Sequence, residues 1–559
     1  MKKLNLKLYL LVFLIAALLL ASLTSCYYSN DVGDEVSDEV SDEVSESESE
    51  NQSELDAEET SEPEDLYLDN VPESTGLDYI MNADGSSYTC IGVGSCTDEI
   101  VSIPSTYNSL PVTKVGTDRR NPGEAWTNLT TLIIPDGITV EYSAFASTPS
   151  ITKVIIGENC IVERTAFANA KKLKNVICKG NTSIRHGAVR GCKSLESVTL
   201  GKGIILNPYV FAECPALKEV TLPEDIKTLP SELFVSCKAL ESIVLPESVT
   251  KIENGAFISC VSLKSINIPA NLEVLEGSAF KSCSSLTEIV LPEKMKYIYG
   301  GVFYECTSLK RAILPKYVEA LGGGLFSYCS SLSDVTLPQN ITEIPSTMFL
   351  CCSSLETIEI PNGVTEIRLS AFEYCLRLKE IKLPDSVTVF GDSAFYGCTS
   401  LEKMNIPDSL ITMDRQCLRE CRKLEGVYIP ETVETVGSFA LSNTLLTKAI
   451  IPGTLKTVER YALSGCDELT EVVLENGVKK IEECAFEASK KLSYIYIPAS
   501  VTSIEYAVFR DTALSQIHYG GTVDQWEKIN KHEWWMDGSC VNTVICTDGN
   551  VAVEHPQPY

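Results

Sequence analysis

Histidine is scarce in this chain of 559 residues: His186, His518, His532 and His555 are all there are. None has a partner at metal-binding or catalytic spacing, so zinc hydrolysis and histidine acid–base chemistry lack their residues. Basic residues are also in short supply, with 46 Lys and Arg against 76 Asp and Glu and a formal net charge of -30. Nucleic-acid binding needs basic patches that neutralise phosphates, so this balance excludes it. Direct contact with anionic lipid headgroups is excluded on the same ground. No Gly-x-Ser-x-Gly elbow, phosphate-binding loop or dinucleotide fingerprint occurs. Glycines 322–324 form a lone run and read as a turn. Acidic pairs are frequent but scattered over loops, and no two-carboxylate site stands out. Neither an enzyme nor a cofactor is expected. Beyond the first 25 residues, no apolar run approaches the ~20 residues that a membrane span takes.

What is present begins with an address. Lys2 and Lys3 precede an apolar run over residues 8–20, followed by Leu23, Thr24, Ser25 and Cys26. A charged start, an apolar stretch and small residues at the end describe a secretory signal, here residues 1–25. The Leu-x-small-Cys ending resembles the bacterial lipobox. That resemblance implies cleavage before Cys26 and a lipid on its thiol, so the membrane would be touched only through this anchor. Residues 26–75 read as a disordered acidic tether. Asp-Glu-Val-Ser occurs three times over residues 34–45, and residues 27–75 hold 19 acids and no Lys or Arg. Such a segment cannot bury enough apolar surface to fold, and like charges keep it extended.

Residues 129–515 repeat every 22 or 23 residues. Leu263, Ile266, Ile268, Pro269, Leu272, Leu275, Ala279, Phe280 and Cys283 match Leu378, Ile381, Leu383, Pro384, Val387, Phe390, Ala394, Phe395 and Cys398. The Phe column starts at Phe145 and Phe167. It runs at intervals of 23 from Phe211 to Phe395 and returns at Phe486 and Phe509, with Val189, Leu418, Leu441 and Leu463 in the gaps. In the alternating Ile-x-Ile stretch the flanking residues point inward and the middle one outward. Pro then ends the strand. The Val-x-x-Ile piece returns along the other side, and Ser-Ala-Phe is expected to start a short helical turn. One unit cannot cover its own apolar face, so units must stack.

These repeats resemble the BspA-type leucine-rich repeats of bacterial surface proteins. The resemblance implies an α/β repeat fold: a leucine-rich-repeat solenoid with parallel strands, short helical turns and capping units at both ends. Residues 76–128 would form the N-terminal capping unit and an irregular first coil, because Thr-Asp-Arg-Arg-Asn-Pro-Gly-Glu-Ala-Trp replaces the Ala-Phe turn there. Residues 516–559 would form the C-terminal capping unit. The family implies a cell-surface role in adhesion or host contact, with an extracellular protein or glycan as ligand. A passive spacer or coat component without a ligand is the alternative.

Twelve of the 22 cysteines form one column: Cys192, Cys214, Cys237, Cys260, Cys283, Cys306, Cys329, Cys352, Cys375, Cys398, Cys421 and Cys466. One fixed place per coil suits a small buried hydrophobe better than a disulfide, whose geometry parallel side chains oppose. Thr444, Ser489 and Thr512 fill the same place elsewhere. Cys90 with Cys96, and Cys540 with Cys546, are left open as cap disulfides. The outward middle residues change along the array, from Thr199 and Thr221 through Glu359 and Lys382 to Tyr428 and Tyr496. Tyrosine combines contact area, a hydroxyl and low entropy cost, so Tyr428, Tyr494, Tyr496 and Tyr519 are the candidate ligand contacts.

Overall fold

The computed structural model describes residues 71–116 and 126–553. The expected signal segment with Cys26, most of the expected tether and part of the irregular first coil lie outside them. Each coil lays down two strands, and equivalent strands of successive coils pair in parallel and in register. Val154, Val176 and Val198 lie side by side in this way. One sheet joins Thr131–Ile134, Lys153–Glu158, Asn175–Gly180, Ser197–Leu200 and Glu219–Thr221. The return strands Thr139–Val140, Ile161–Val162, Ser183–Ile184 and Ile205–Leu206 build the second. Alternation decides what is buried: Val198 and Leu200 point into the core while Ser197 and Thr199 stay half-exposed.

The six-residue strands of the repeat array, Lys153–Glu158 and Asn175–Gly180, have no proline after them. Glu288–Val290 and Asp334–Thr336 shrink to three, with Pro292 and Pro338 just beyond. Proline has no N–H to give the next coil, so the strand goes no further there.

The expected short helical turns are not what forms, and the architecture is a parallel β-solenoid rather than an α/β one. At Phe280 the turn holds Ser278 and Ser282 at φ 57° and 59°. Left-handed residues cannot continue a right-handed helix. The Phe280 N–H donates to Val302 of the next coil at 2.9 Å, and the Ser282 N–H to Tyr304 at 2.7 Å. Coil-to-coil bonding thus takes the donors that a helix would need. Among the described residues, one helix is seen, Val523–Glu527 in the C-terminal unit, closed by a capping box between Thr522 and Gln525.

The core is a ladder of aromatic rings. Phe257, Phe280 and Phe303 stack with centroids 5.2 and 5.7 Å apart and planes within 6°. Trp126 caps one end at 4.9 Å from Phe145. Trp535 closes the other, edge-on to Phe509 at 6.2 Å. The ladder breaks at Val189 and again at Leu418, Leu441 and Leu463, which are buried but carry no ring.

The cysteine column is buried throughout, and every described cysteine is a free thiol, Cys90, Cys96, Cys540 and Cys546 included. Each column thiol also bonds across coils. Cys283 donates to the Phe257 carbonyl and Cys375 to that of Phe349, both at 3.2 Å. Ser489 makes the equivalent bond to Leu463 at 2.9 Å. Thr444 and Thr512 turn to their own coil, bonding Leu441 and Phe509 at 2.8 Å. The thiol is therefore a small filler and a donor at once, a role that spacing alone did not reveal.

The ends are closed differently from the middle. Strand Asp78–Met81 pairs antiparallel with Tyr88–Gly92, and Tyr79 stacks on Tyr107 at 4.0 Å. At the other end Thr543–Ile545 pairs antiparallel with Asn550–Ala552, ending the parallel sheet. Exposed ion pairs such as Lys296 with Glu273 (2.7 Å) link neighbouring coils. Each is worth about 1 kcal/mol or less, so they align coils more than they hold them.

Candidate binding surface

The C-terminal sheet begins at Lys448–Ile451 and continues through Glu471–Leu474, Tyr494–Ile497, Gln516–Tyr519 and Thr543–Ile545. Its outward face carries Lys448, Ile450, Glu471, Val473, Tyr494, Tyr496, Gln516 and His518. Tyr494 is 37% exposed and its ring lies 4.8 Å from that of His518. Tyr496 is half-buried and sits in register beside His518. These two tyrosines and His518 make one aromatic patch.

Tyr519 does not belong to it. The residue is 3% exposed, takes the inward place of Ile497, and packs edge-on against Trp526 at 5.1 Å. Nearness in coil coordinates placed it beside Tyr494 and Tyr496. Strand alternation sends residue 519 to the opposite face, so it is corrected here to a core residue.

Tyr428 is 52% exposed and stands apart from that patch, at a fault in the array. Val427, Tyr428 and Ile429 occupy the Ile-x-Ile place yet form no strand. Gly426, with φ 69°, causes this: a left-handed residue just before the apolar pair swings the chain off the sheet. The next coil, Lys448–Ile451, therefore has no strand on that side. Between the two opens a groove of about 600 Å³, lined by Asp408, Tyr428, Pro430, Lys448, Ile450 and Glu475, with Leu441 and Leu446 beneath. The Tyr428 hydroxyl donates to Asp408 at 2.7 Å, with the Ile406 carbonyl at 3.1 Å. That bond to a carboxylate pushes the phenol's pKa up and fixes the ring at the rim. Lys448 is paired with Glu471 at 2.8 Å. The site offers an apolar slot between charges of both signs.

Sequence reasoning found Tyr428 by its column but missed the groove. Its signals were Gly426 in a strand approach and the loss of Phe at Leu418, Leu441 and Leu463. Among the described residues, no cluster of His, Cys, Asp and Glu could hold a metal ion.

Stacked coils with parallel strands, a repeating Leu/Ile/Phe core and capped ends define a leucine-rich-repeat solenoid. The chain belongs to the BspA-type leucine-rich repeat family, whose model matches it in six copies, in overlapping stretches from 124–207 through 205–333 to 388–516. Similar solved structures include a leucine-rich repeat protein from Bacteroides ovatus, 21% identical, with TM-score 0.44 and coverage of 86% of this chain and 100% of that one. A leucine-rich cell surface protein from Faecalibacterium prausnitzii is 21% identical, with TM-score 0.28 and coverage of 82% and 98%. The pneumococcal vaccine antigen PcpA is 14% identical, with TM-score 0.26 and coverage of 86% and 100%. None of the curated proteins matches.

Proposed function

We propose that this is a lipid-anchored cell-surface binding protein that engages an extracellular protein or glycan through the C-terminal part of its sheet, in adhesion or host contact. The observation that carries this reading is the groove beside Tyr428. An inert rod needs no fault in its sheet, and this fault opens an apolar slot at an exposed tyrosine. Binding energy concentrates where a pocket takes an apolar anchor inside a polar rim, and a protein side chain suits the floor of Leu441 and Leu446. Tyr494, Tyr496 and His518 extend the contact along the same face. No catalysis is assigned.

Tyr428→Ala combined with Ile450→Ala is expected to weaken capture by immobilised matrix proteins by at least tenfold, corresponding to about 1.4 kcal/mol or more. Thermal unfolding should stay where it was. Thr199→Ala with Thr221→Ala, at the other end of the sheet, is the control. Unchanged capture in the groove variant, or loss in the control alone, would reject the site. If no protein or glycan is captured at all, the passive-spacer reading replaces it.

The anchor rests on Cys26 and its lipobox-like context. Cys26→Ala should abolish incorporation of a labelled fatty acid and release the protein into the medium. Undiminished lipid labelling of that variant would refute the anchor.

A further inference from the structure

A second surface lies away from the sheet, along the turns on either side of the buried Phe of each coil, or of the Leu that replaces it. We propose that this turn edge, over residues 281–461, binds a neutral linear glycan by stacking sugar rings on its aromatic side chains.

The edge is a run of rings. Lys281 Nζ sits 4.7 Å over the Tyr304 ring, and Tyr304 meets Tyr328 at 5.3 Å. Tyr374 meets Tyr396 at 5.1 Å. The Arg419 guanidinium lies between Tyr396 (5.6 Å) and Phe439 (4.7 Å), and its Nε has no hydrogen-bond partner. Phe439 then stacks on Tyr461 at 4.6 Å with planes 7° apart. Only the half-buried Cys351, between Tyr328 and Tyr374, interrupts the series. Tyr328 and Tyr374 are 40% and 39% exposed.

Folding does not ask for rings here. The turn place of Tyr328 and Tyr374 holds Ser236, Ser259 and Ser282 in earlier coils and Asn443 in a later one, all at positive φ. Tyr328, Tyr374, Phe439 and Tyr461 are themselves at φ 63°, 56°, 62° and 57°. Bulky side chains are disfavoured in this left-handed region, where Gly, Asn and Ser are at home. Positive φ belongs to the turn of every coil, at Tyr209, Glu213 and Gln416 as well, so what sets this stretch apart is the gathering of four large aromatics at such places.

The chemistry selects the ligand. A pyranose has an apolar C–H face that stacks on an aromatic ring and a rim of hydroxyls that hydrogen-bond at its edge. The rings here are mostly tyrosines, with an apolar face and a polar tip. Between them stand Glu305 and Glu373, carboxylates that accept from hydroxyls, while Glu420 is paired with Arg422 at 2.7 Å. Lys281 and Arg419 lie over ring faces, and the nearby Arg377, Arg422 and Arg460 are paired with Glu356, Glu420 and Glu483, so the positive charge beside the rings is already matched by carboxylates. Coils succeed one another every ~4.8 Å, close to the advance of one sugar in an extended glycan. A linear array of similar sites suits a linear polymer, because weak contacts add through effective concentration.

Affinity electrophoresis of the full chain in native gels tests this. The gels would contain hydroxyethyl cellulose, mixed-linkage β-glucan, mannan or dextran, with anionic hyaluronan as the contrast. At least one neutral polymer should retard the protein. Tyr328→Ser with Tyr374→Ser, which installs the residue that the turns of Ser236, Ser259 and Ser282 hold at this place, should weaken that retardation at least tenfold without lowering thermal stability. Tyr142→Ala, an exposed tyrosine elsewhere, should change nothing. No retardation by any neutral polymer, retardation by hyaluronan alone, or equal retardation of the serine variant would overturn the proposal. So would a serine variant that loses protein capture and keeps glycan retardation, since the edge would then be a protein contact. The groove variant above is scored on protein ligands, so either surface can fail without the other.

Discussion

Raising the pH from 8 to 11 is expected to unfold the solenoid, with the cysteine column as the cause. Burial pushes up the pKa of ten column thiols: Cys237, Cys260, Cys283, Cys306, Cys329, Cys352, Cys375, Cys398, Cys421 and Cys466. For Cys237 and Cys306 it reaches about 12. The folded chain thus keeps protons that the unfolded chain releases near pH 9. A group whose folded pKa is raised contributes its full stability below the unfolded value and loses it as pH climbs toward the folded one. The window therefore opens near pH 9 and extends toward 12. One pH unit above the unfolded value, each such thiol has withdrawn about 1.4 kcal/mol. Ten acting together would withdraw an amount on the order of the whole ~5–15 kcal/mol by which domains are ordinarily stable. Circular dichroism and the ultraviolet absorbance of thiolate, followed on one pH ramp, should change together. Replacing Cys260, Cys283 and Cys306 with serine should move the midpoint to higher pH, because a hydroxyl does not titrate there and Ser489 shows that serine fits the place. A fold intact at pH 11, or a midpoint indifferent to the three serines, would break the link to the column.

The same residues show how far a sequence can be read. Period and alternation were enough to set the coil, the inward Phe and Cys columns and the outward place of Tyr428, because each depends only on neighbours along the chain. The turns were misread as helical because their N–H groups bond to the next coil, as at Phe280 and Val302, a competition that no single repeat displays. Tyr519 was misplaced by counting coils without counting strand parity. Trp126 and Trp535 were not recognised as ends of the Phe ladder, since both lie outside the repeat's spacing. The groove depends on the backbone of Gly426, and glycine in a sequence announces freedom without saying which conformation is used.

The second large effect is expected at Phe280. The ring is fully buried, with Phe257 and Phe303 stacked on either side. Phe280→Ala removes both contacts and leaves a cavity that backbone-bonded neighbouring coils cannot close, at a cost of about 3–5 kcal/mol. In a stacked array each coil is coupled only to its neighbours, so a damaged interface weakens cooperation between the two flanks as well as total stability. The chain carries its own reporters: Trp126 at the N-terminal end, and Trp526, Trp534 and Trp535 at the C-terminal end. Trp126→Phe leaves only the C-terminal signal, so denaturant melts with and without that change resolve the two ends. In Phe280→Ala the ends should melt at separated denaturant concentrations, the gap being wider than in the parent chain. The parent already has a weaker place, where Leu418, Leu441 and Leu463 interrupt the rings and Gly426 interrupts the sheet, so its C-terminal reporters should lead. A single sharp transition in Phe280→Ala, less than about 1 kcal/mol below the parent, would show that the Phe ladder is not what couples the coils.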